Sequence, residues 1–396
     1  MTSSACDDDD SIQLRLVCCE SHCLNHFETV TILSSPFKAY SFATRWWRAN
    51  TAVLLGGLLH QPVSVKAVMF FSTGDPAYNT TAPAGALADS GWQLQGLWGG
   101  FLGTPIAPRY FITAGHVGGR SGDPFVFQNV VYTAQSFFDD PDSDLRIWRI
   151  CETFPIFATL YTNRDEVNKS LVVFGRGTVR GDEVRANGVL KGWRWGPADG
   201  VQRWGENRVS SVVQGRMGIG GLLKASFNAD AGANEAHLSV GDSGGAVFIK
   251  EGAVWKLAGI NYSVDGPYSL TNTGPGFEAA IFDKGGLYTN MDQMWRLEPD
   301  SPSDKPGAFY ATRISENAAW INSVLGQTFP DAPVVESAEQ VAGPYALVPN
   351  ATVDAGAKTI TVTRSSANQF YRLSGCIAQH INGLRLEGNS VIISYD

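Results

Sequence analysis

From Val68 to about residue 310, apolar stretches are short, and each is stopped by a cluster of Gly, Pro, Asn or Asp. Phe111 to Thr113, Phe125 to Tyr132, Leu171 to Phe174, Gly244 to Ile249 and Trp255 to Asn261 are the clearest. Runs of this length bounded by turn residues suit strands, whereas a helix needs ten or more residues of uninterrupted 3.6 periodicity. The punctuation therefore predicts an all-β chain. The 43 Gly and 19 Pro among 396 residues lean the same way, and 44% hydrophobic against 17% charged residues is not a disordered composition. One helix is expected, with Ser315 as N-cap and Glu316 in the first turn, running through Ala319, Trp320 and Val324 to a stop at Gly326, ahead of Pro330 and Pro333.

The length allows two or three domains. Thr51 to Leu59 is a short apolar run preceded by Lys38, Arg45 and Arg48, and Val65-Lys66-Ala67 supplies small residues where a signal peptidase requires them. Residues 1–67 therefore read as a leader cleaved after Ala67, and the protein as exported, to the extracellular space or a periplasm. The basic region lies far from Met1, so the first 40 or so residues are either a start-site artefact or an unusually long leader; a buried strand or helix at 51–59 is the competing account. No apolar run reaches the roughly 18 residues of a membrane span. The main domain is expected over 68–326, a Pro, Ala and Gly rich linker over 327–345 and a small β module over 346–396. Its strands are expected at Thr359 to Thr363, Gln369 to Leu373, Leu384 to Glu387 and Val391 to Tyr395, the last two joined by a Gly388-Asn389 turn. No internal repeat is visible.

The net charge of −8 is spread without a basic block, which gives nucleic acid little to hold. Cys6, Cys18, Cys19 and Cys23 crowd the first two dozen residues, and Cys18, Cys19, Cys23, His22 and His26 fit no zinc template. No metal or cofactor is expected. A Cys151 to Cys376 bridge needs a Cα separation that linear spacing does not show. Arg180-Gly181-Asp182 matches an adhesion tripeptide but reads as a plain turn after a strand. Oligomeric state is not legible.

Gly241-Asp242-Ser243-Gly244-Gly245 carries the strongest chemical signal, a serine flanked by residues that let backbone turn tightly and approach a substrate. The string fits both the G-x-S-x-G elbow of α/β-hydrolase esterases and a GDSGG peptidase turn. Partner order separates them. An α/β-hydrolase needs its His after the serine, and only His380 follows Ser243; the other order, His then Asp then Ser, is met by Thr113-Ala114-Gly115-His116, Ser143-Asp144-Leu145 and Ser243. A serine hydroxyl is a weak nucleophile at neutral pH and needs an imidazole to take its proton, and the imidazole needs a carboxylate to hold its tautomer. Asp144 is preferred over Asp139, Asp140 and Asp142 because Leu145 and Ile147 begin an apolar strand directly after it, whereas the others lie in a Pro-containing loop expected to be solvated. Taken singly these residues read as a core histidine, a turn acid and a loop serine. Their joint order argues otherwise.

On these residues the chain resembles the trypsin-like, chymotrypsin-fold serine endopeptidases of the secreted bacterial type. TAGH at His116 is close to the family's TAAH, SDL at Asp144 resembles its acid-bearing strand start, and GDSGG at Ser243 matches it. Leu257 to Ser263 sits where the family has its substrate-backing strand, and the resemblance covers roughly residues 90–326. It implies two six-stranded β-barrels with a closing C-terminal helix, and hydrolysis of protein or peptide substrates through an acyl-enzyme on Ser243. The backbone N–H groups of Gly241 and Ser243 would receive the oxyanion. The tail resembles β-rich endings of exported bacterial proteins. A catalytically silent, peptide- or surface-binding relative is the alternative, and an esterase a third.

Departures from the family pattern matter. Val117 and Ser239 stand where the family has cysteines, so packing and hydrogen bonds must hold the loops. The position implied for the pocket floor is His237, which disfavours Arg or Lys in the substrate and is expected to be neutral and hydrogen-bonded. Tyr262, Ser263 and Val264 align with the segment that pairs with substrate backbone. Asp242 corresponds to an acid that receives a newly freed N-terminal amine, with the Val68 terminus or an internal Arg as possible partner.

Overall fold

The computed structural model describes residues 13–17, 29–33, 68–291, 293–327, 333–364, 369–374 and 381–396. The chain divides into two compact units, residues 61–327 and a second made of 1–60 with 328–396. In the larger unit, β1 (Gly96–Trp98), β2 (Phe101–Ala107), β3 (Tyr110–Ala114), β4 (Pro124–Phe127), β5 (Val130–Asp139) and β6 (Leu145–Ile150) close a barrel in the order β1-β2-β3-β6-β5-β4. A second barrel, β7 (Ser170–Gly175), β8 (Arg203–Gln214), β9 (Gly221–Ser226), β10 (Ala246–Glu251), β11 (Val254–Val264) and β12 (Ala308–Arg313), closes as β7-β8-β9-β12-β11-β10. The second order repeats the first, strand for strand. Helix α1 (Ile314–Leu325) follows directly. This is the double barrel with a closing helix that was expected, and two closed antiparallel barrels exclude the α/β-hydrolase reading.

The barrels share an order but not a filling. The first is packed with aromatic rings, Phe111 and Phe125 stacking 3.9 Å apart with Trp98, Trp148 and Phe154 around them. Room for them comes from glycine: a Cβ on Gly96 would lie 2.3 Å from the Phe125 ring. The second barrel is filled by aliphatic side chains such as Val173, Leu223, Val247, Ile249 and Ala311.

Several local expectations need correction. Phe125 to Tyr132 is two strands, not one, because Gln128 and Asn129 take positive φ angles of 50° and 64° and make a two-residue hairpin turn. Gly244 lies in a turn before β10 rather than in a strand. Arg180-Gly181-Asp182 lies within strand Thr178–Ala186, where Arg180 donates to the Phe70 and Phe71 carbonyls and covers the Trp193 ring at 3.6 Å. The N-cap of α1 is Arg313, with no side-chain cap, since the Ser315 hydroxyl donates instead to Glu166 at 2.5 Å. Asp140, expected to be solvated, is 7% exposed and accepts from Ser143 at 2.7 Å.

In the smaller unit, Thr359–Thr363, Ser390–Tyr395 and Ile381–Glu387 pair around the buried Ile360, Val362, Val391 and Ile393. Val334–Ala338, inside the stretch read as linker, is a strand paired with Phe370–Ser374, and Val335 is 1% exposed. Its five residues, VVESA, carry no apolar–polar alternation and do not stand out beside the prolines. Gln13–Val17 and Thr29–Leu33, within the segment read as leader, are also strands, the latter paired with Phe370–Ser374. The Thr51 to Leu59 run, the cleavage position after Ala67, Cys6, Cys18, Cys19, Cys23, His22, His26, Cys376 and His380 lie outside the described residues.

Candidate active site

The register of the first barrel brings two of the candidate side chains together. Ala114, the last residue of β3, pairs with Leu145, the first of β6, so Gly115 and His116 continue past the strand end directly alongside Asp144. The Gly115 amide donates to the Asp144 carbonyl at 2.7 Å and the His116 amide to Asp144 Oδ1 at 3.0 Å. The other carboxylate oxygen meets His116 Nδ1 at 2.6 Å. A carboxylate only accepts, so Nδ1 carries the proton in the neutral ring and Nε2 is bare. That bare nitrogen lies 2.8 Å from Ser243 Oγ and accepts its hydrogen. The Asp144 side chain is 11% exposed against 40% for His116, so the acid is covered while the imidazole opens to solvent.

Ser243 comes from the other barrel, on a turn that only glycine allows. Gly241 and Gly244 have φ angles of 93° and 76°, and a Cβ on Gly244 would lie 2.3 Å from Thr113 Oγ1 and 2.5 Å from the Leu102 carbonyl oxygen. The turn therefore presses on β2 and β3 where His116 emerges. Its amides are unevenly occupied: Asp242 N donates to Ser239 O at 3.2 Å, whereas among the described residues neither Gly241 nor Ser243 donates its N–H to a protein acceptor. Two unoccupied donors thus flank the serine.

Hydrogen bonds hold this turn. Ser239 Oγ accepts from the Thr178 amide at 2.6 Å and donates to Asp242 Oδ2 at 3.0 Å. Asp242, 1% exposed, also accepts from the amides of Ser239 at 2.8 Å, Gly177 at 2.6 Å and Val68 at 3.3 Å. Burial dominates over these donors and pushes its carboxyl up to about 6. Among the described residues its hydrogen-bond donors are these three amides and the Ser239 hydroxyl, with no arginine. Gly175 and Gly177 form its cradle, since a Cβ on Gly175 would fall 2.0 Å from Asp242 Oδ1. Asn261 Nδ2 ties the turn to β7 by donating to Phe174 O at 2.8 Å and Asp242 O at 2.9 Å. Sequence reasoning gave Ser239 only as a position without the family's cysteine, read Gly175 and Gly177 only as a turn, and passed over Asn261.

The substrate-pairing candidates divide. Tyr262 joins the cluster, its ring edge-on to His116 at 5.8 Å, and burial with the nearby Asp144 charge raises its phenol above the ordinary value. Ser263 and Val264 continue β11 beside it. His237 does not join the cluster: it is 0% exposed in the short strand Ala236–His237, between Phe227 and Phe309, with Nδ1 donating to Leu238 O at 2.6 Å. Burial lowers its pKa, so the ring is neutral.

The paired barrels, each with one strand order, decide the architecture. The fold is chymotrypsin-like. A search of solved structures matches neuropsin, a serine protease expressed in the limbic system of mouse brain, at 14% identity and a TM-score of 0.35, over 60% of this chain and 96% of that one. No family model and no curated protein matches the chain. In the chymotrypsin-like fold the cleft between barrels is a composite surface, and here one barrel supplies an acid and an imidazole while the other supplies an alcohol and two open amides.

Proposed function

We propose that the protein is a serine endopeptidase whose nucleophile is Ser243. The observation that carries this reading is the single hydrogen-bonded line from Asp144 through His116 to Ser243, with distances of 2.6 and 2.8 Å and only one tautomer able to satisfy it. His116 takes the serine proton as Oγ attacks a peptide carbonyl, forming the C–O bond of a tetrahedral intermediate, and Asp144 stabilises the imidazolium. The Gly241 and Ser243 amides receive the negative oxygen. His116 then returns the proton to the leaving amine as the C–N bond breaks, and water repeats the cycle on the acyl-enzyme.

Ser243→Ala tests it. The folded variant is expected to lose both protein cleavage and labelling by a fluorophosphonate probe; retention of either removes the assignment, and a wild-type protein that stays unlabelled is a binder instead. Asp144→Asn is expected to lower kcat by about 10⁴, since an amide no longer selects the working tautomer. Export and removal of residues 1–67 belong to the same reading: the Val68 nitrogen, 3.3 Å from Asp242, would become an ammonium beside a buried carboxylate. N-terminal sequencing of the mature product, with Val68 first, is the check.

A further inference from the structure

The hairpin loop joining β8 to β9, residues 215–220, reaches the other barrel. A Cβ on Gly220 would lie 2.9 Å from the Asp142 carbonyl oxygen, two residues before Asp144. The loop is tight, closed by Gly215 N to Gly220 O at 2.8 Å and Ile219 N to Arg216 O at 2.9 Å, with Gly218 and Gly220 at φ of 78° and 65°. Its tip side chains, Arg216 and Met217, face water. The Arg216 guanidinium makes no ion pair or hydrogen bond among the described residues.

Tyr262 connects this cation to the cluster. Register shifts between Asn261 and Ser263, whose partners Ala311 and Tyr310 are adjacent, so Tyr262 is the extra residue of a β-bulge. A bulge re-aims its side chain, and here the ring lies against His116 within electrostatic reach of both Asp144 and Arg216. Ala246 with Ile260 is the last rung shared by β10 and β11, which leaves 262–264 without a ladder partner on that side. An extended peptide pairing antiparallel with this edge would pass Tyr262 on the N-terminal side of the bond presented to Ser243.

We propose that Arg216, on the loop that meets Asp142, selects an acidic side chain on the peptide N-terminal to the bond that is cut. This rests on the peptidase reading above. The test compares matched peptides carrying Glu or Gln at each of the three positions before the cleaved bond. The wild-type protein is expected to favour Glu at one of them by about three- to fivefold in kcat/KM, the size of an exposed ion pair. The preference should lie in KM and fade in 1 M NaCl. Arg216→Gln should bring the Glu:Gln ratio to one, and Arg216→Lys should keep part of it. A wild-type ratio of one, or a ratio that survives Arg216→Gln, overturns the proposal. Fluorophosphonate labelling of the wild type separates the two failures: a labelled protein that cleaves without acidic preference refutes this inference alone, whereas an unlabelled, inactive one removes the peptidase reading and this with it.

Discussion

Asp242 accepts from three amides and one hydroxyl, yet burial outweighs them, and its carboxyl titrates near 6 instead of the ordinary 3.8. The folded chain therefore holds a proton between about pH 4 and 6 that the unfolded chain has released, and stability rises as pH falls through that window. For Asp242 alone the gain is on the order of 3 kcal/mol. Between pH 7 and pH 5 Asp242 contributes about 1.3 kcal/mol of this, and urea midpoints at the two pH values are expected to show the gain in the full chain and a smaller one in Asp242→Asn. Glu235, raised to about 7 chiefly by burial, adds in the same direction and persists in the variant. An ammonium freed at Val68 would hold the Asp242 carboxyl down and remove its contribution above pH 5, so processed protein should gain less stability than unprocessed protein between pH 7 and pH 5. Asp242 was legible as a buried acid, but its partners come from positions 68, 177 and 239, which no local pattern connects.

At the scale of elements, two contacts determine whether the barrels meet correctly. Gly244→Ala places a methyl group on backbone and side-chain oxygens of the first barrel at a φ of 76°. It is expected to cost several kcal/mol and to abolish fluorophosphonate labelling, measured by denaturant unfolding and by labelling of whatever remains folded. Helix α1 is seated by Glu166, 0% exposed, which accepts two bonds from Arg313 at 2.8 and 2.6 Å and one from Ser315. Glu166→Ala leaves Arg313 without its buried partner and should destabilise by about 3–5 kcal/mol in urea. The helix itself was legible from its apolar spacing. Its cap was misread because Ser315 looks like a capping residue until a carboxylate 149 positions away claims its hydroxyl.

At the scale of the molecule, the two units hold separate cores, one aromatic and aliphatic in the barrels and another around Ile360 and Ile393. Calorimetry should resolve two unfolding transitions, and covalent modification of Ser243 should shift only the one belonging to residues 61–327. A single transition, or a shift of both, would contradict this. The matching strand orders of the barrels left no trace as a sequence repeat, because one barrel is filled by stacked rings and the other by branched aliphatics; topology constrains which positions face inward, not which apolar residue fills them. Turn residues and short apolar runs, being local, were enough to announce strands, and the order His116, Asp144, Ser243 was enough to nominate three side chains that the fold brings into hydrogen-bond distance. Only folding decided that Tyr262 turns onto His116, that His237 is sealed between rings, and that backbone amides from distant loops surround Asp242. Each of those outcomes depends on strand register and on which loops meet across the cleft, and such long-range geometry is set by packing rather than by any neighbouring residues in the chain.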